Sequence, residues 1–258
     1  MRPLVTILAL AALATPALAE NFWVENFNYP AGGLVANSGG NWVTHSGTGT
    51  DIQVSAGAYA VGIMSNAPSD HRNFPTRGVN DKTYACFKVR LPALGGLGDN
   101  YFAHFMDAGT NFRVKVYAMS SLLMPEWGWA LGITVAANGL TATPRTWPSP
   151  PTGAVWEGLA PGWWYTVVID YDAAAGTADL WVDPVNELSP HISVSDTSVA
   201  GVLKHTPISA FALRQGNTKV DDRYWVDDIG VGTSFEDACK APTPTLPSTW
   251  GQLEGIYR

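Results

Sequence analysis

Charge, cysteine and helical periodicity are all scarce in this chain of 258 residues. Only 14% of residues are charged, and acids outnumber bases by 22 to 15. A formal net charge of −7 argues against nucleic acid or an anionic lipid surface as partner, since neither attracts a carboxylate excess. Neutral glycans stay open, as do acidic ones bridged by a cation. Two cysteines, Cys86 and Cys239, are too few for a disulfide-built miniprotein or a thiolate metal centre. No apolar run is long enough to span a bilayer, so no membrane span is expected. No stretch of ten or more residues carries a helical period, which leaves an all-β chain.

The first nineteen residues read as an export signal. Arg2 supplies a positive start, Leu4–Ala14 an apolar stretch and Ala17-Leu18-Ala19 a small-residue cleavage pattern, with Glu20 opening the mature chain. Losing Arg2 takes the formal charge from −7 to −8. The expected location is secreted, periplasmic or on the cell surface. An isolated cysteine pair is expected to be bonded in such a compartment, and the long loop it closes would add about 5 kcal/mol at most. The alternative is two inert buried thiols.

What is abundant suits strands and turns: 26 glycines, 18 prolines and 11 tryptophans. The clearest signal is residues 163–184, two strands joined at Ala173–Gly176, where Gly176 is free to take positive φ. Trp163, Tyr165, Val167, Ile169 and Tyr171 share one parity, continued by Ala178, Leu180 and Val182. The other parity carries Trp164, Thr166, Val168, Asp170 and Asp172, answered by Thr177, Asp179, Trp181 and Asp183. A period of two sends these sets to opposite sides of a sheet, one side core and the other a mixture of rings and carboxylates.

Further alternating strands are read at Phe22–Phe27, Asn41–His45, Asp51–Val54, Gly57–Gly62, Thr83–Leu91, Tyr101–Met106, Phe112–Ala118, Trp129–Val135, Ile192–Val194, Ala210–Leu213 and Tyr224–Val231. Ala142–Pro161, with five prolines, reads as an irregular loop. Such spacing predicts a two-sheet antiparallel sandwich or jelly roll over residues 20–239. Residues 240–258 read as a stiff Pro/Thr linker and a short tail. There, Thr249 and Gln252 have capping-box spacing and Trp250, Leu253 and Ile256 line one side, fit to dock on a partner or on the domain itself.

Three pieces in order carry a resemblance: Glu25-Asn26-Phe27-Asn28-Tyr29-Pro30-Ala31-Gly32, then Asp170-Tyr171-Asp172 through Leu180-Trp181-Val182-Asp183-Pro184, then Arg214-Gln215-Gly216 with Val226-Asp227-Asp228-Ile229-Gly230-Val231-Gly232-Thr233. Together they resemble the concanavalin A-like, LamG-like jelly-roll domains of exported bacterial proteins. The resemblance implies two stacked antiparallel sheets with a curved face. It implies less about activity, because this fold hosts lectins, adhesion modules, glucanases and lyases. The Glu-x-Asp-x-x-Glu strand of the jelly-roll glucanases is missing, as are the Arg-x-Glu-Leu and Gln-Ile/Val-His strands of the alginate-lyase-like members.

Several groups are candidates for chemistry. Hairpin pairing sets Asp170 across from Asp179, which is unfavourable unless a cation or a basic side chain intervenes; Ca²⁺ held by Asp170, Asp172 and Asp179 would relieve it. The other reading is a wet hairpin tip screened by water and salt. Asp227-Asp228 is a second oxygen cluster of the same kind. Asp170 and Asp172 also suit a pair of glycosidase carboxylates, except that a position near a turn is poorly placed for the burial an acid requires. Glu126 and Glu157, with tryptophan neighbours, are comparable candidates. Histidines 45, 71, 104, 191 and 205 lack zinc-ligand spacing, and His104 reads as a core or edge histidine. The polar parity is the stronger surface: Arg90, Arg113, Lys115, Tyr117, Trp164, Trp181 and Asp170 combine flat rings for sugar C–H faces with groups that fix hydroxyls. Against it stands the reading that those tryptophans lie beneath a loop. The leading expectation is an exported, non-catalytic module for carbohydrate binding or surface adhesion. The alternatives are a glycosidase or lyase on the same fold, or a structural subunit of an extracellular assembly.

Overall fold

A computed structural model of the chain describes residues 19–55, 59–63, 67–91, 100–109, 111–121, 123, 128–135, 154–195, 206–215 and 223–240. The proposed signal, Glu126, His205 and the 241–258 tail lie outside the described residues. Alternating strands need partners on both sides, and the described ones find them in two antiparallel sheets. The nine-stranded sheet holds β1 (Asn21–Glu25), β2 (Gly32–Gly33), β4 (Gln53–Ser55), β5 (Tyr59–Ile63), β7 (Lys82–Arg90), β12 (Tyr165–Asp172), β13 (Thr177–Val182), β14 (His191–Ser195) and β16 (Arg223–Gly232). Its order is β14-β13-β12-β7-β16-β5-β4-β2, with β1 also on β16. The seven-stranded sheet holds β3 (Val43–Ser46), β6 (Ser69–Arg77), β8 (Asn100–Met106), β9 (Phe112–Ser120), β10 (Trp129–Thr134), β11 (Ala154–Leu159) and β15 (Ile208–Leu213), in the order β11-β10-β9-β8-β15-β6-β3.

The central hairpin forms in the expected register, with Asp172 opposite Thr177 and Val168 opposite Trp181. Gly176 closes its turn at φ +67°. Val167, Ile169, Leu180, Phe87 and Val89 project inward and meet Phe105, Val114, Val116, Leu131 and Phe211 of the other sheet, all at 0% exposure. The other parity of each sheet therefore points away from its partner, on opposite sides of the sandwich. Trp163 does not join the core: it precedes β12, follows the positive-φ Gly162, and stands 69% exposed.

Three strands lie where the sequence reading placed none, the two-residue β2 among them. β11 occupies the proline-free interval Ala154–Leu159 and runs along the edge beside β10. β6, Ser-Asp-His-Arg-Asn-Phe-Pro-Thr-Arg, has little apolar alternation to announce it. Its Pro75, which cannot donate to a ladder, sits where the pairing with β15 skips from Asn73 to Arg77.

Short α2 (Phe235–Ala238) packs on the outer side of the nine-stranded sheet. Ser234 caps it, accepting from the Asp237 amide at 3.1 Å. A side chain at Gly230 would collide with the Ala238 carbonyl oxygen, so β16 can carry only glycine beneath this helix. Phe235 and Ala238 form a second small core with Tyr84, Cys86, Val168 and Trp181, closed by the Cys86–Cys239 disulfide. Because this bond joins residues 153 apart, it restricts the unfolded chain strongly.

Candidate functional site

The polar-parity residues expected to share one surface are divided between two. Arg90, Trp164, Trp181 and Asp170 belong to the outer face of the nine-stranded sheet, while Arg113, Lys115 and Tyr117 belong to that of the seven-stranded sheet. Parity predicts inside against outside correctly, but it cannot say which sheet a strand joins.

On the nine-stranded sheet two of the four are internal. Trp181 is 1% exposed, packed edge-to-face on Phe235 at 5.6 Å and tilted on His191 at 5.1 Å, and its indole N–H donates to the Glu187 carbonyl at 3.1 Å. Its work is packing. Asp170 is also 1% exposed, despite its closeness to the turn, because Lys82 and Tyr84 of the neighbouring strand lie over it. Burial pushes its carboxyl up to about 7, against the pull of Lys82 Nζ at 2.6 Å. The Lys82 ammonium is held above its ordinary value by Asp170 and Tyr84, although burial opposes this.

The oxygen cluster expected from Asp170, Asp172 and Asp179 does not assemble. Lys82 supplies the intervening positive charge, Asp172 Oδ1 accepts the Ala175 amide at 2.8 Å, and Asp170 Oδ1 accepts the Asp179 amide at 2.8 Å. Asp228 is paired with Lys88 at 2.7 Å, and burial pushes its neighbour Asp227 up to about 6. Among the described residues no three His, Cys, Asp or Glu side chains are placed to share a metal ion. Glu157 accepts the Ser121 hydroxyl at 2.7 Å on β11.

The seven-stranded face gathers groups that spacing alone leaves scattered. His45 of β3, His71 of β6 and His104 of β8 approach within 5.3 Å (His45–His71) and 5.9 Å (His45–His104) between ring centroids. Ala212 of β15 pairs with both His71 and His104, and its small side chain leaves room for the rings above it. His104 is fully buried against Phe112 at 4.3 Å, and its Nε2 has no hydrogen-bond partner; both nitrogens of His45 and Nδ1 of His71 are likewise unpartnered. Beside them β9 places Arg113, Lys115 and Tyr117 on one side. The Lys115 ammonium lies 5.0 Å above the Tyr101 ring, and the Arg214 guanidinium 4.2 Å from the same ring. Arg113 donates to Thr206 Oγ1 at 2.6 Å. Tyr117 packs on Tyr101 at 5.7 Å, and a side chain at its partner Gly132 would crowd Met119.

The electrostatics of this face are one-sided. Among the described residues no carboxylate forms an ion pair with Arg113, Lys115 or Arg214. Burial, with Arg214 and Arg113 adding repulsion, pulls Lys115 down to about 8. Burial likewise holds His45 at about 4 and His71 and His104 below the ordinary histidine value, so all three imidazoles are neutral at pH 7. Half-buried Tyr101, Arg214, His45 and His71 surround buried Lys115 and His104. Such a site offers cationic donors, flat rings and neutral imidazoles, and it accommodates a negative group better than a neutral one. The sequence reading included Arg113, Lys115 and Tyr117 but not Arg214, Tyr101 or the histidine row, because these come from separate strands whose adjacency is topological.

The two-sheet architecture is the concanavalin A-like jelly-roll fold, and comparison with solved structures agrees. The chain is similar to the CBM2 module of Lactobacillus casei BL23 phage J-1 evolved Dit, with a TM-score of 0.50 and 12% identity over 84% of this chain and 96% of that one. It is also similar to an endo-1,3-beta-glucanase from Streptomyces sioyaensis, with a TM-score of 0.51 and 14% identity over 86% of this chain and 99% of that one. At such identities the likeness is one of fold. No protein-family model and no curated protein matches the chain.

Proposed function

We propose that this is an exported carbohydrate-binding module that takes an acidic glycan on the outer face of its seven-stranded sheet. The observation carrying this reading is the grouping of Lys115, Arg113 and Arg214 around Tyr101 with no carboxylate in ion-pair contact. Three grouped cations, two of them buried and only Arg113 feeling a described carboxylate, that of Asp107, are costly, and a uronate or sulfate group would relieve that cost. The tyrosine rings would meet the C–H side of the sugar. Export rests on the leader pattern and on the disulfide, which persists in oxidising compartments. The shared fold supports a glycan role, since one structural neighbour is named an endo-1,3-beta-glucanase.

Affinity electrophoresis through gels holding polygalacturonate, a sulfated glycan or a neutral glucan tests the reading. The wild type should be retarded by the acidic polymers, and Lys115→Met with Arg214→Met should weaken retention about tenfold or more, or about 1.4 kcal/mol. Retention should fall as pH rises through about 8, where Lys115 loses its charge. Equal retention of the double variant would overturn the assignment.

A second reading has a specific observation behind it. His104 is neutral, with Nε2 unpartnered, and both Tyr101 and Lys115 adjoin it. In a uronate chain, cations on the carboxylate acidify the adjacent C–H. Once the covering Phe112 and Tyr101 rings shift to uncover Nε2, a neutral imidazole could take that proton while the glycosidic oxygen leaves as the C–C double bond forms. Unsaturated products from the wild type, lost in His104→Ala, would make this a lyase. Their absence leaves the binding reading.

A further inference from the structure

We infer that the outer face of the nine-stranded sheet carries a second and separate glycan site, formed by Tyr59, Trp164, Trp225 and Arg90 and suited to a neutral sugar chain. The four lie on or beside adjacent members of the sheet: Trp164 immediately before β12, Arg90 at the end of β7, Trp225 near the start of β16 and Tyr59 at the start of β5. Register sets Arg90 directly opposite Trp225. The Arg90 guanidinium lies 4.3 Å from the Trp225 ring and 5.3 Å from that of Trp164, while Tyr59 stands 6.0 Å from Trp164 and 6.5 Å from Trp225. All four side chains are half-buried, unlike the core rings, and Trp163 beside them is 69% exposed.

This cluster has no structural role comparable to that of Trp181, which is buried beneath α2 at the other end of the same face. Arg90 Nε is buried without a hydrogen-bond partner, and no described carboxylate forms an ion pair with the guanidinium. Nε is sealed between the two indoles, so the half-buried guanidinium offers its terminal N–H groups to an acceptor, with no described carboxylate to take them. The nearby charges select the kind of acceptor. Lys88 is already neutralised by Asp228 at 2.7 Å. Asp227, next on the same side of β16 after Trp225, supplies a carboxylate that would repel an anion and accept from a hydroxyl. Aromatic faces with one donor and one acceptor fit sugar hydroxyls, which both give and take hydrogen bonds. The seven-stranded face, where cations group around Tyr101 while the Asp107 and Glu157 carboxylates are taken up by Gly109, Asn111 and Ser121, lacks that balance.

The two sites lie on opposite sides of a sandwich whose sheets are about 10 Å apart. One molecule could therefore hold an acidic chain on one side and a neutral chain on the other. The second site does not depend on the first and would stand if the seven-stranded face bound nothing.

The experiment compares wild type, Trp164→Ala/Trp225→Ala, Arg90→Met and Lys115→Met/Arg214→Met in affinity gels containing hydroxyethylcellulose, laminarin or polygalacturonate, with circular dichroism to confirm folding. The tryptophan pair should lose at least tenfold in retention by a neutral polymer and keep its retention by polygalacturonate. Arg90→Met, which keeps the rings, should lose several-fold. The lysine–arginine pair should behave in the reverse way. Bridging should follow: wild type should carry soluble polygalacturonate onto insoluble neutral glucan, and neither double variant should do so. The inference is overturned if no neutral polymer retards the wild type, or if the tryptophan pair and Arg90→Met are retarded as strongly as the wild type. It is equally overturned if the aromatic cluster proves to be covered by a second copy, seen as a concentration-dependent dimer lost in the tryptophan pair. Loss of polygalacturonate binding alone would strike at the other face and leave this one intact.

Discussion

Glu25 organises the start of the chain. It is 3% exposed and accepts from the Phe27 amide at 2.8 Å, the Tyr29 hydroxyl at 2.7 Å, the Trp42 indole at 2.9 Å and Arg72 at 2.8 Å. That explains why Glu25-Asn26-Phe27-Asn28-Tyr29 works as a unit: one carboxylate ties a tight turn at Phe27, φ +50°, to two strands of different sheets. Glu25→Gln keeps the shape but leaves Arg72 facing a neutral amide, and should cost about 3–5 kcal/mol, read as a lower urea midpoint with unchanged slope. Lys115 makes the opposite contribution. Its folded value of about 8 lies below the ordinary 10.5, so between those values the unfolded chain binds more protons. Stability attributable to this residue therefore rises with pH across that window, and below it the penalty is constant. Lys115→Met should raise the melting temperature at pH 7 and flatten the rise above pH 8.

At the scale of elements, the short helix after β16 is held by three unlike devices: the Ser234 cap, the glycine beneath it and the bond from Cys239 to Cys86. Replacing both cysteines by serine should lower stability by about 4–5 kcal/mol if the chain-entropy account holds. It should also release Phe235 from Trp181, visible as faster amide exchange confined to residues 234–240. Gly230→Ala should loosen the same segment with the disulfide intact, at a cost of about 1–3 kcal/mol. This scale also marks how far the sequence could be read. The hairpin at 165–182 was legible down to the residue pairs, because a period of two and one short turn determine it locally. β6 was not, since a polar strand with a central proline is recognisable only from the β15 and β3 strands on either side. Asp170 and Trp181 were correctly placed on the outer parity yet misread as accessible, because their cover comes from Lys82, Tyr84 and α2, remote in sequence. The histidine row failed for the same reason: three residues on β3, β6 and β8 become neighbours only once the strand order is known.

Across the whole molecule, a formal charge of −7 surrounds a local group of three unpaired cations. An acidic polymer approaching from a distance meets repulsion first and attraction only on contact. Raising ionic strength from about 0.01 to 0.1 M shortens the screening length from about 30 to about 10 Å, which removes the distant term before the near one. The association rate with polygalacturonate should therefore rise over that range and fall beyond it. A steady decline from the lowest salt, measured by stopped-flow tryptophan fluorescence, would show that the local field already dominates at long range.

The pairing of β1 with β16 brings the first and last described segments into contact. The Thr233 amide donates to the Glu20 carbonyl at 2.9 Å, and the Asn21 side chain reaches the Asp237 carbonyl. A short peptide could join Lys240 to Glu20 on the α2 side of the sandwich, leaving the seven-stranded face uncrossed, so a circular permutant opened at the exposed turn tip Ala174-Ala175 should fold. A tether attached at Glu20 or at Lys240 would leave from that one corner. The seven-stranded surface would then face away from the anchor, free to swing against whatever lies opposite.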